Sequence, residues 1–328
     1  MYSRLGTIVI VLASVLFLGG IVTFMIEPKE RALVRESTLS VASPVAPRET
    51  VVPREGITLL FGGDMMFDRY LRTVARRESG AFLFGNTGET LASADLVIAN
   101  LEGPITDHAS VSETSVIGAR DNYVFTFDPS IARLLHEEHI GVVNLGNNHS
   151  LNFGKEGVAR TKAYLTDAGV AYFGSPLSED EHFLIRDIRG TRVALVNYNE
   201  FVWQGKEKAL ADIVEVRGEA DVVILYTHWG TEYVPATDKM KRLAREFVDA
   251  GVDLIIGSHP HVVQETEVYQ GKTIYYSLGN FIFDQYFSPE TTAGLLVRAT
   301  YDPATEQFSF EDIPVTLKNT GQTVLTQK

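Results

Sequence analysis

From Ile57 onward, short apolar runs alternate along the chain with longer amphipathic segments. Apolar runs without a polar interruption, such as VVILY at 222–226, are typical of strands that are covered on both faces. Six runs are predicted as strands: Ile57–Phe61, Asp95–Ala99, Gly141–Leu145, Val193–Val196, Val222–Tyr226 and Val252–Ile256. Four segments are predicted as helices: Phe67–Arg77, Pro129–Glu138, Lys155–Ala168 and Asp238–Ala250. This alternation predicts an α/β domain.

Hairpin patterns interrupt this alternation in the second half of the chain. Turn signals separate Phe183–Ile188 from Thr191–Val196 and Val262–Tyr269 from Thr273–Ser277, and Gly294–Leu317 also has a strand pattern. We therefore expect a mixed sheet, or two packed sheets with outer helices, rather than one parallel sheet.

The stretch from Leu5 to Ile26 is uncharged and almost wholly apolar. At about 1.5 Å per helical residue, it is long enough to cross a bilayer. Residues 1–26 are therefore predicted to be an uncleaved, single-pass membrane anchor with the folded domain outside the cytoplasm, and a long signal peptide is the alternative. Residues 27–55 contain four prolines among polar residues and are predicted to be a flexible linker to a domain at 56–328.

Composition restricts the possible partners and chemistry. The formal net charge of −13 disfavours nucleic acid as a partner, because an acidic surface repels phosphates. The chain has no cysteine, which excludes thiolate metal sites, cysteine nucleophiles and disulfides. Any metal must be bound by His, Asp, Glu or Asn, a ligand set that suits Mn, Fe, Zn or Mg.

Potential metal ligands follow five of the predicted strands. They are Asp64, Glu102, Asn148 with the adjacent His149, His228, and His259 with His261. If these strands share one sheet and one orientation, their carboxyl ends bring all five loops to the same edge. Each residue also has a structural interpretation, since Asp64 could cap a helix and Asn148 could occupy a turn. Five loops with such residues at corresponding positions favour a common site.

The His259-Pro260-His261 motif is the strongest local signal. Proline stiffens the loop, and alternate residues of an extended segment point the same way, so both histidines could reach one metal. A dinuclear hydrolytic site holds two divalent ions about 3.5–4 Å apart and keeps positions open for water and substrate. A histidine outside the coordination shells can then donate a proton to the leaving group.

Six motifs resemble those of the capsule-synthesis CapA family, also called the PGA_cap family and named for poly-γ-glutamate capsule synthesis. They are GGDMMFDR (62–69), ADLVIANLEGPIT (94–106), VVNLGNNHSLNFGKEG (142–157), ILYTHWGTEY (224–233), IIGSHPHVVQ (255–264) and YYSLGNFIFDQ (275–285). The resemblance places the chain in the metallophosphatase-like superfamily. It implies a four-layer α/β/β/α sandwich with two divalent metal ions, Mn, Fe or Zn.

The resemblance also implies roles for individual residues. Asp64 matches the first metal aspartate, Glu102 the bridging carboxylate and His149 the proton donor. The remaining implied metal ligands are Asn148, His228, His259 and His261. Near the first two loops, Arg69, Arg72 and Arg120 are candidate anion clamps, and solvated surface charge is the alternative. In the last motif, Asn280 and Asp284 are candidates to support the ligands.

One motif departs from the superfamily pattern. Calcineurin-type enzymes usually begin with Asp-x-His, whereas Asp64 is followed by Met65-Met66. Methionine is a poor ligand for a hard divalent ion, so one metal would bind weakly unless Asp68 replaces the missing histidine.

The resemblance implies a membrane-anchored protein that acts in the synthesis, export or attachment of an anionic capsule polymer. Its expected partners are that polymer or its intermediate, the membrane, through residues 5–26, and subunits of a capsule-synthesis complex. Met66 favours one alternative, a non-catalytic metal-binding component of a polymer-export complex. Asn148 and His149 favour catalysis, because a purely structural site needs no proton donor. The third possibility is a phosphoesterase that acts on another substrate.

Overall fold

The computed structural model describes residues 54–177 and 182–327. The predicted anchor and nearly all of the predicted linker lie outside these residues. Within the described ranges, no helix combines the length and apolar character needed to cross a membrane.

The described residues form fourteen strands and six α-helices. In chain order they are β1 (Ile57–Met65), α1 (Arg69–Arg77), α2 (Gly88–Ala92), β2 (Leu96–Leu101), α3 (Ser130–Glu137), β3 (Ile140–Asn144), α4 (Gly154–Ala168), β4 (Ala171–Phe173), β5 (Phe183–Ile188), β6 (Thr191–Asn199), α5 (Gly205–Arg217), β7 (Val222–His228), α6 (Asp238–Asp249), β8 (Leu254–Ser258), β9 (Thr266–Tyr269), β10 (Lys272–Tyr275), β11 (Asn280–Ile282), β12 (Ala293–Asp302), β13 (Gln307–Leu317) and β14 (Thr323–Leu325).

These strands form two mixed sheets. The first has the order β14-β13-β12-β1-β2-β3-β4, with β11 beside β1, and the second has the order β5-β6-β7-β8-β10-β9. Strands β1 to β4 are parallel, as are β6, β7, β8 and β10, whereas antiparallel strands occupy the remaining edges. The predicted α/β class is confirmed.

Three buried apolar clusters show how the layers stack. One lies between the first sheet and α1, α3 and α4, the second lies between the two sheets, and the third lies between the second sheet and α5 and α6. Leu59 and Phe61 face the neighbouring sheet, while Leu60 between them faces the helices. The uninterrupted apolar runs thus belong to strands that are covered on both faces.

The boundaries differ from the sequence prediction in ways that matter for the site. Strands β1 and β7 end later than predicted, so that Asp64 and His228 lie inside strands. Helix α1 begins at Arg69 rather than Phe67, because Asp68 before it has an extended backbone. Helix α5 is not among the predicted helices. It buries Asp212 and exposes Val214, so its apolar residues do not mark one face.

Candidate metal centre

Two sheets, rather than one, bring the predicted ligands together. Strands β1, β2 and β3 of the first sheet carry Asp64 and lead to Glu102 and Asn148, whereas β7 and β8 of the second carry His228 and lead to His259. The condition for a single sheet edge is therefore not met, and the alternative of two packed sheets with outer helices is confirmed. The carboxyl ends of both parallel strand sets meet instead, and His228 Nδ1 lies 4.0 Å from Asp64 Oδ1 across the two sheets.

An irregularity at the end of β1 positions Asp64. The register with β2 shifts between Phe61 and Asp64, and a β-carbon at Gly63 would lie 1.9 Å from the carbonyl oxygen of Gly279. Only glycine allows this approach, which turns the strand at the point where Asp64 enters the site. Asn100 then donates to Asp64 Oδ1 at 2.8 Å.

Glu102 is the least satisfied polar group of the site. Its side chain is fully buried, and neither carboxylate oxygen has a hydrogen-bond partner within the described ranges. Its Oε1 lies 3.5 Å from His261 Nε2 and 3.8 Å from His149 Nε2. A buried carboxyl group in this state stays ionised only with a positive charge beside it.

The loop after β3 carries Asn148 and His149 and is held by Asn147. The buried Asn147 amide donates to the carbonyl oxygen of Leu101 at 2.8 Å and accepts from the His149 backbone N–H at 3.1 Å. His149 packs its ring 4.4 Å from the Phe125 ring. Asn147 therefore fixes the loop to the end of β2, next to Glu102.

His228 links this loop to the second sheet. Its Nε2 lies 2.8 Å from Asn148 Oδ1, and its Nδ1 lies 3.0 Å from the hydroxyl of Ser258. The imidazole is fully buried. Both ring nitrogens are thereby oriented, as expected for a histidine whose second nitrogen is held by a supporting residue.

The His259-Pro260-His261 segment faces the site, but it is not extended as predicted. His259 has φ 95° and His261 has φ 56°, in the left-handed region that is costly for residues with a β-carbon. The His259 N–H donates to Asp64 Oδ2 at 3.0 Å, and His261 Nδ1 lies 2.9 Å from Asn280 Oδ1. These contacts hold both rings in the site, with their centroids 6.0 Å apart.

Arg69 approaches the site from the start of α1. Its guanidinium pairs with Asp284 and lies 5.1 Å from the Phe125 ring and 5.5 Å from the Phe283 ring. Its Nε is buried and has no hydrogen-bond partner among the residues described. Asp284 therefore orients a guanidinium that retains one free donor.

Met66 and Asp68 lie away from the ligands. Met66 is buried in the cluster between the first sheet and its helices, and its sulfur accepts from the Asp68 N–H at 2.9 Å. Both Asp68 oxygens are occupied by Arg72, Ser112 and Thr126, at 2.8–2.9 Å. The structure therefore does not place Asp68 where it would replace the missing histidine.

Sequence reasoning missed Glu232. One carboxylate oxygen of Glu232 and one ring nitrogen each of His259 and His261 all lie within 4.8 Å of one another. Atoms of Asp64, Glu102 and His228 form a second group of the same size. The only local signal for Glu232 is its position four residues after His228.

Burial controls the protonation of these groups. It lowers the pKa of His149 and His259 to about 4 and that of His228 well below its ordinary value, so the imidazoles are neutral near pH 7. Burial and the nearby Asp64 carboxylate raise the pKa of Glu102 well above its ordinary value. Burial alone would also raise the pKa of Asp64, but its hydrogen bond with His261 and the charge of that ring lower it.

This donor set fits divalent cations. Neutral imidazoles and carboxylates are the forms that bind metals, and a cation would compensate the unpartnered Glu102. Each of the two three-residue groups, Asp64–Glu102–His228 and Glu232–His259–His261, could hold one metal ion, and three protein ligands leave coordination positions open.

Comparison with known sequences gives the chain a family. The sequence model described as "Bacterial capsule synthesis protein PGA_cap" matches residues 58–285. The chain is 30% identical over 264 residues to the capsule biosynthesis protein CapA of Bacillus anthracis, covering 74% of this chain and 62% of that protein. It is 28% identical over 259 residues to the PGA biosynthesis protein CapA of Bacillus subtilis, covering 73% and 66%. The matches thus span less than two thirds of either relative's length.

More distant proteins share parts of this similarity. A probable polyglutamine synthesis accessory protein of Mycobacterium tuberculosis is 23% identical over 289 residues, covering 70% of this chain and 74% of that protein. Among solved structures, a hypothetical protein from Thermus thermophilus matches 79% of this chain and 98% of its own, with a TM-score of 0.51 and 17% identity. At this identity the likeness shows a common fold alone.

Proposed function

This chain belongs to the bacterial capsule synthesis protein PGA_cap family, and from that premise we propose a metal-dependent hydrolase that acts on an anionic capsule polymer or its intermediate. The polymer is poly-γ-glutamate by resemblance to the Bacillus relatives, whose names refer to capsule and PGA biosynthesis. The observation that carries the hydrolytic proposal is the fully buried Glu102, whose two oxygens have no hydrogen-bond partner within the described ranges.

The residues that would hold the metals come from both sheets, in the four-layer arrangement of a metallophosphatase-like fold. They are Asp64, Glu102, Asn148, His228, His259 and His261. Two divalent ions, Mn, Fe or Zn, would supply the Lewis acidity that polarises a substrate oxygen and lowers the pKa of water.

His149 is suited to proton transfer beside this donor set. Its Nδ1 lies 3.2 Å from Asn152 Oδ1, so a protonated Nδ1 can donate a hydrogen bond to the side-chain carbonyl of Asn152. The other ring nitrogen, Nε2, faces Glu102. Burial keeps the ring neutral, and the negative charge of a bound substrate favours its protonated form. His149 then holds a proton at Nε2 for the leaving group.

Arg69 supplies the positive charge that an anionic substrate requires in an acidic protein. Its pairing with Asp284 and its packing against two phenylalanine rings fix the guanidinium near the ligands, and its buried Nε has no hydrogen-bond partner within the described structure. A fixed guanidinium binds carboxylate or phosphate by charge-assisted hydrogen bonds.

Activity of the full chain tests the proposal. After reconstitution with Mn²⁺, Fe²⁺ or Zn²⁺, we expect hydrolysis of either a γ-glutamyl peptide or bis(p-nitrophenyl) phosphate. His149→Ala should retain metal and lose about 100-fold or more in turnover. His136→Ala, which changes an exposed histidine of α3, should match the parent. Equal activity in the His149→Ala variant would contradict the role of His149 as proton donor. An unchanged amount and attachment of surface polymer after deletion of the gene would contradict the proposed substrate.

A second candidate function rests on the burial of Met66. Because the usual histidine of the first motif is replaced by a core residue, the site could bind metal without turnover, as a non-catalytic component of a polymer-export complex. Bound metal without hydrolysis of either test substrate would favour this function.

We also propose that residues 5–26 anchor the protein in the cell membrane, with the folded domain outside the cytoplasm. The supporting observation is the uncharged, apolar stretch from Leu5 to Ile26. The full chain should sediment with membranes and be digested by protease added to spheroplasts, whereas a chain without residues 1–26 should stay in the cytosol. Recovery of the full chain in the soluble fraction would contradict the anchor.

A further inference from the structure

The loop after β7 is fastened to the segment that carries two of the predicted ligands. The backbone N–H of Trp229 donates to the carbonyl oxygen of Ser258 at 3.2 Å, and that of Tyr233 donates to the carbonyl oxygen of Pro260 at 2.9 Å. Trp229 is fully buried and donates its indole N–H to the carbonyl oxygen of Tyr276 at 2.9 Å. These bonds hold the loop on both sides of the residue at position 232.

Glu232 therefore has a defined place beside His259 and His261. Its carboxylate and one nitrogen of each imidazole lie within 4.8 Å of one another, and the Tyr233 ring lies 6.2 Å from the His261 ring. Glu232 is partly buried, in contrast to a fully solvated surface glutamate.

Two buried groups without hydrogen-bond partners favour a cation beside His259 and His261. His259 is 4% exposed, and its Nδ1 is buried without a hydrogen-bond partner among the described residues. Glu102 is fully buried, and its Oε1 lies 3.5 Å from His261 Nε2. Neither of its oxygens has a hydrogen-bond partner in the part of the chain that the structure describes. The buried His259 nitrogen and the buried Glu102 carboxylate, one in each three-residue group, both lack the partner that a metal ion would supply.

One metal would lack a ligand, because the first motif has no histidine. Met66 occupies the position of the usual first-motif histidine and is buried in an apolar cluster, and Asp68 is fully engaged with Arg72, Ser112 and Thr126. Neither residue can serve a metal that lacks that histidine.

We propose that Glu232 is a ligand of one of the two cations and forms a two-histidine, one-carboxylate set with His259 and His261. Such sets bind zinc in hydrolases and iron(II) in other enzymes, with positions left open for water and substrate. This inference rests on the proposed metal site. Under this inference, Glu232 in the loop after β7 replaces the histidine that the first motif lacks.

Manganese binding by the full chain tests this assignment. The purified protein is stripped with chelator and titrated with Mn²⁺ by calorimetry, and electron paramagnetic resonance detects the coupling between two neighbouring ions. Glu232→Gln should weaken one of two Mn²⁺ sites by about tenfold or more and remove the coupled spectrum. Glu232→Asp, which keeps a carboxylate on a shorter side chain, should have an intermediate affinity.

Glu207→Gln is the matched control, because it removes the same charge from an exposed position of α5. It should bind two Mn²⁺ ions with the affinities of the parent. Equal thermal unfolding temperatures of the metal-free parent and Glu232→Gln would exclude a loss of fold. Two sites with unchanged affinity in Glu232→Gln would overturn the inference and leave the metal site intact. A parent that binds none of Mn²⁺, Fe²⁺ and Zn²⁺ would overturn the proposed function itself, and the inference with it.

Discussion

Burial and charge at single residues define the chemistry of this site. Glu102 and Asp64 are fully buried carboxyl groups that repel each other, and removing such groups from water costs several kcal/mol per uncompensated ion. The lowered pKa of Asp64 keeps one carboxylate ionised, and burial lowers the pKa of His149, His228 and His259, which are neutral near pH 7. The site is therefore ready to bind cations without first losing many protons.

The buried histidines predict acid sensitivity of the metal-free chain. His149 and His259 have folded pKa values of about 4 against about 6.5 in an unfolded chain. The unfolded chain binds more protons between these values, so stability is complete above about pH 6.5 and is lost as the pH falls toward 4. The thermal unfolding temperature, measured with chelator present, should therefore fall from pH 7 to pH 5.

The variant His149→Asn measures how much His149 contributes to the pH dependence of the unfolding temperature. Glu102 acts in the opposite direction because its pKa is raised, but its contribution is common to parent and variant. The variant should lose less stability than the parent between pH 7 and pH 5. Parallel pH profiles would show that His149 is not held neutral by burial.

Arg69 predicts selective loss of anion binding. Arg69→Gln removes the charge while keeping polar atoms, and inorganic phosphate should bind to the metal-loaded protein about 10- to 100-fold more weakly, because a charge-assisted hydrogen bond contributes about 1.5–3 kcal/mol. Metal content should be unchanged. Arg133→Gln, which changes an 82% exposed arginine of α3, should bind phosphate as the parent does. Loss of metal together with phosphate would assign Arg69 to the fold rather than to the substrate.

Single residues also show the limits of sequence reasoning. Histidines after strands are rare enough to be recognised, whereas Glu232 is one of 42 acidic residues and has no distinctive local pattern. Asn100 lies within a buried strand, and its contact with Asp64 depends on the pairing of β1 and β2. Such contacts join residues distant in sequence, so the local pattern does not predict them.

Asp68 fastens two elements together, α1 and the segment between β2 and α3. It is fully buried, pairs with Arg72 and accepts from Ser112 and from the Thr126 N–H. Asp68→Asn should lower the free energy of unfolding by about 3–5 kcal/mol, because it leaves the Arg72 charge buried without its partner. Denaturant unfolding measures this loss.

Glu137→Gln serves as the control for that experiment. It breaks the Arg133–Glu137 pair, whose side chains are 82% and 52% exposed, and exposed pairs contribute little to stability. We expect unfolding like that of the parent. Equal effects of Asp68→Asn and Glu137→Gln would contradict a structural role for Asp68.

Elements are predicted better than their assembly. Apolar runs predict the strands, and turn signals predict the hairpins β5–β6 and β9–β10, because these features are local. Division of the strands between two sheets depends on pairing between distant segments, so the sequence does not decide between one mixed sheet and two packed sheets. The extended form predicted for His259-Pro260-His261 is wrong for a related reason: contacts with Asp64 and Tyr233 impose the left-handed backbone.

At the scale of the whole molecule, the site exists because two parallel strand sets present their carboxyl ends to each other. Each sheet alone carries an incomplete donor set, Asp64 and Glu102 on one and the histidines of β7 and β8 on the other. The apolar cluster between the sheets holds these sets together. The family match from residue 58 to 285 covers both sets.

Metal content of the full chain tests this account most directly. After reconstitution and removal of free metal, elemental analysis of the parent should find about two Mn, Fe or Zn ions per chain. Asp64→Ala in the first sheet and His261→Ala after the second should each lower this content, and the double variant should retain almost none. A parent without metal, or a double variant with the metal content of the parent, would contradict a metal centre built by both sheets.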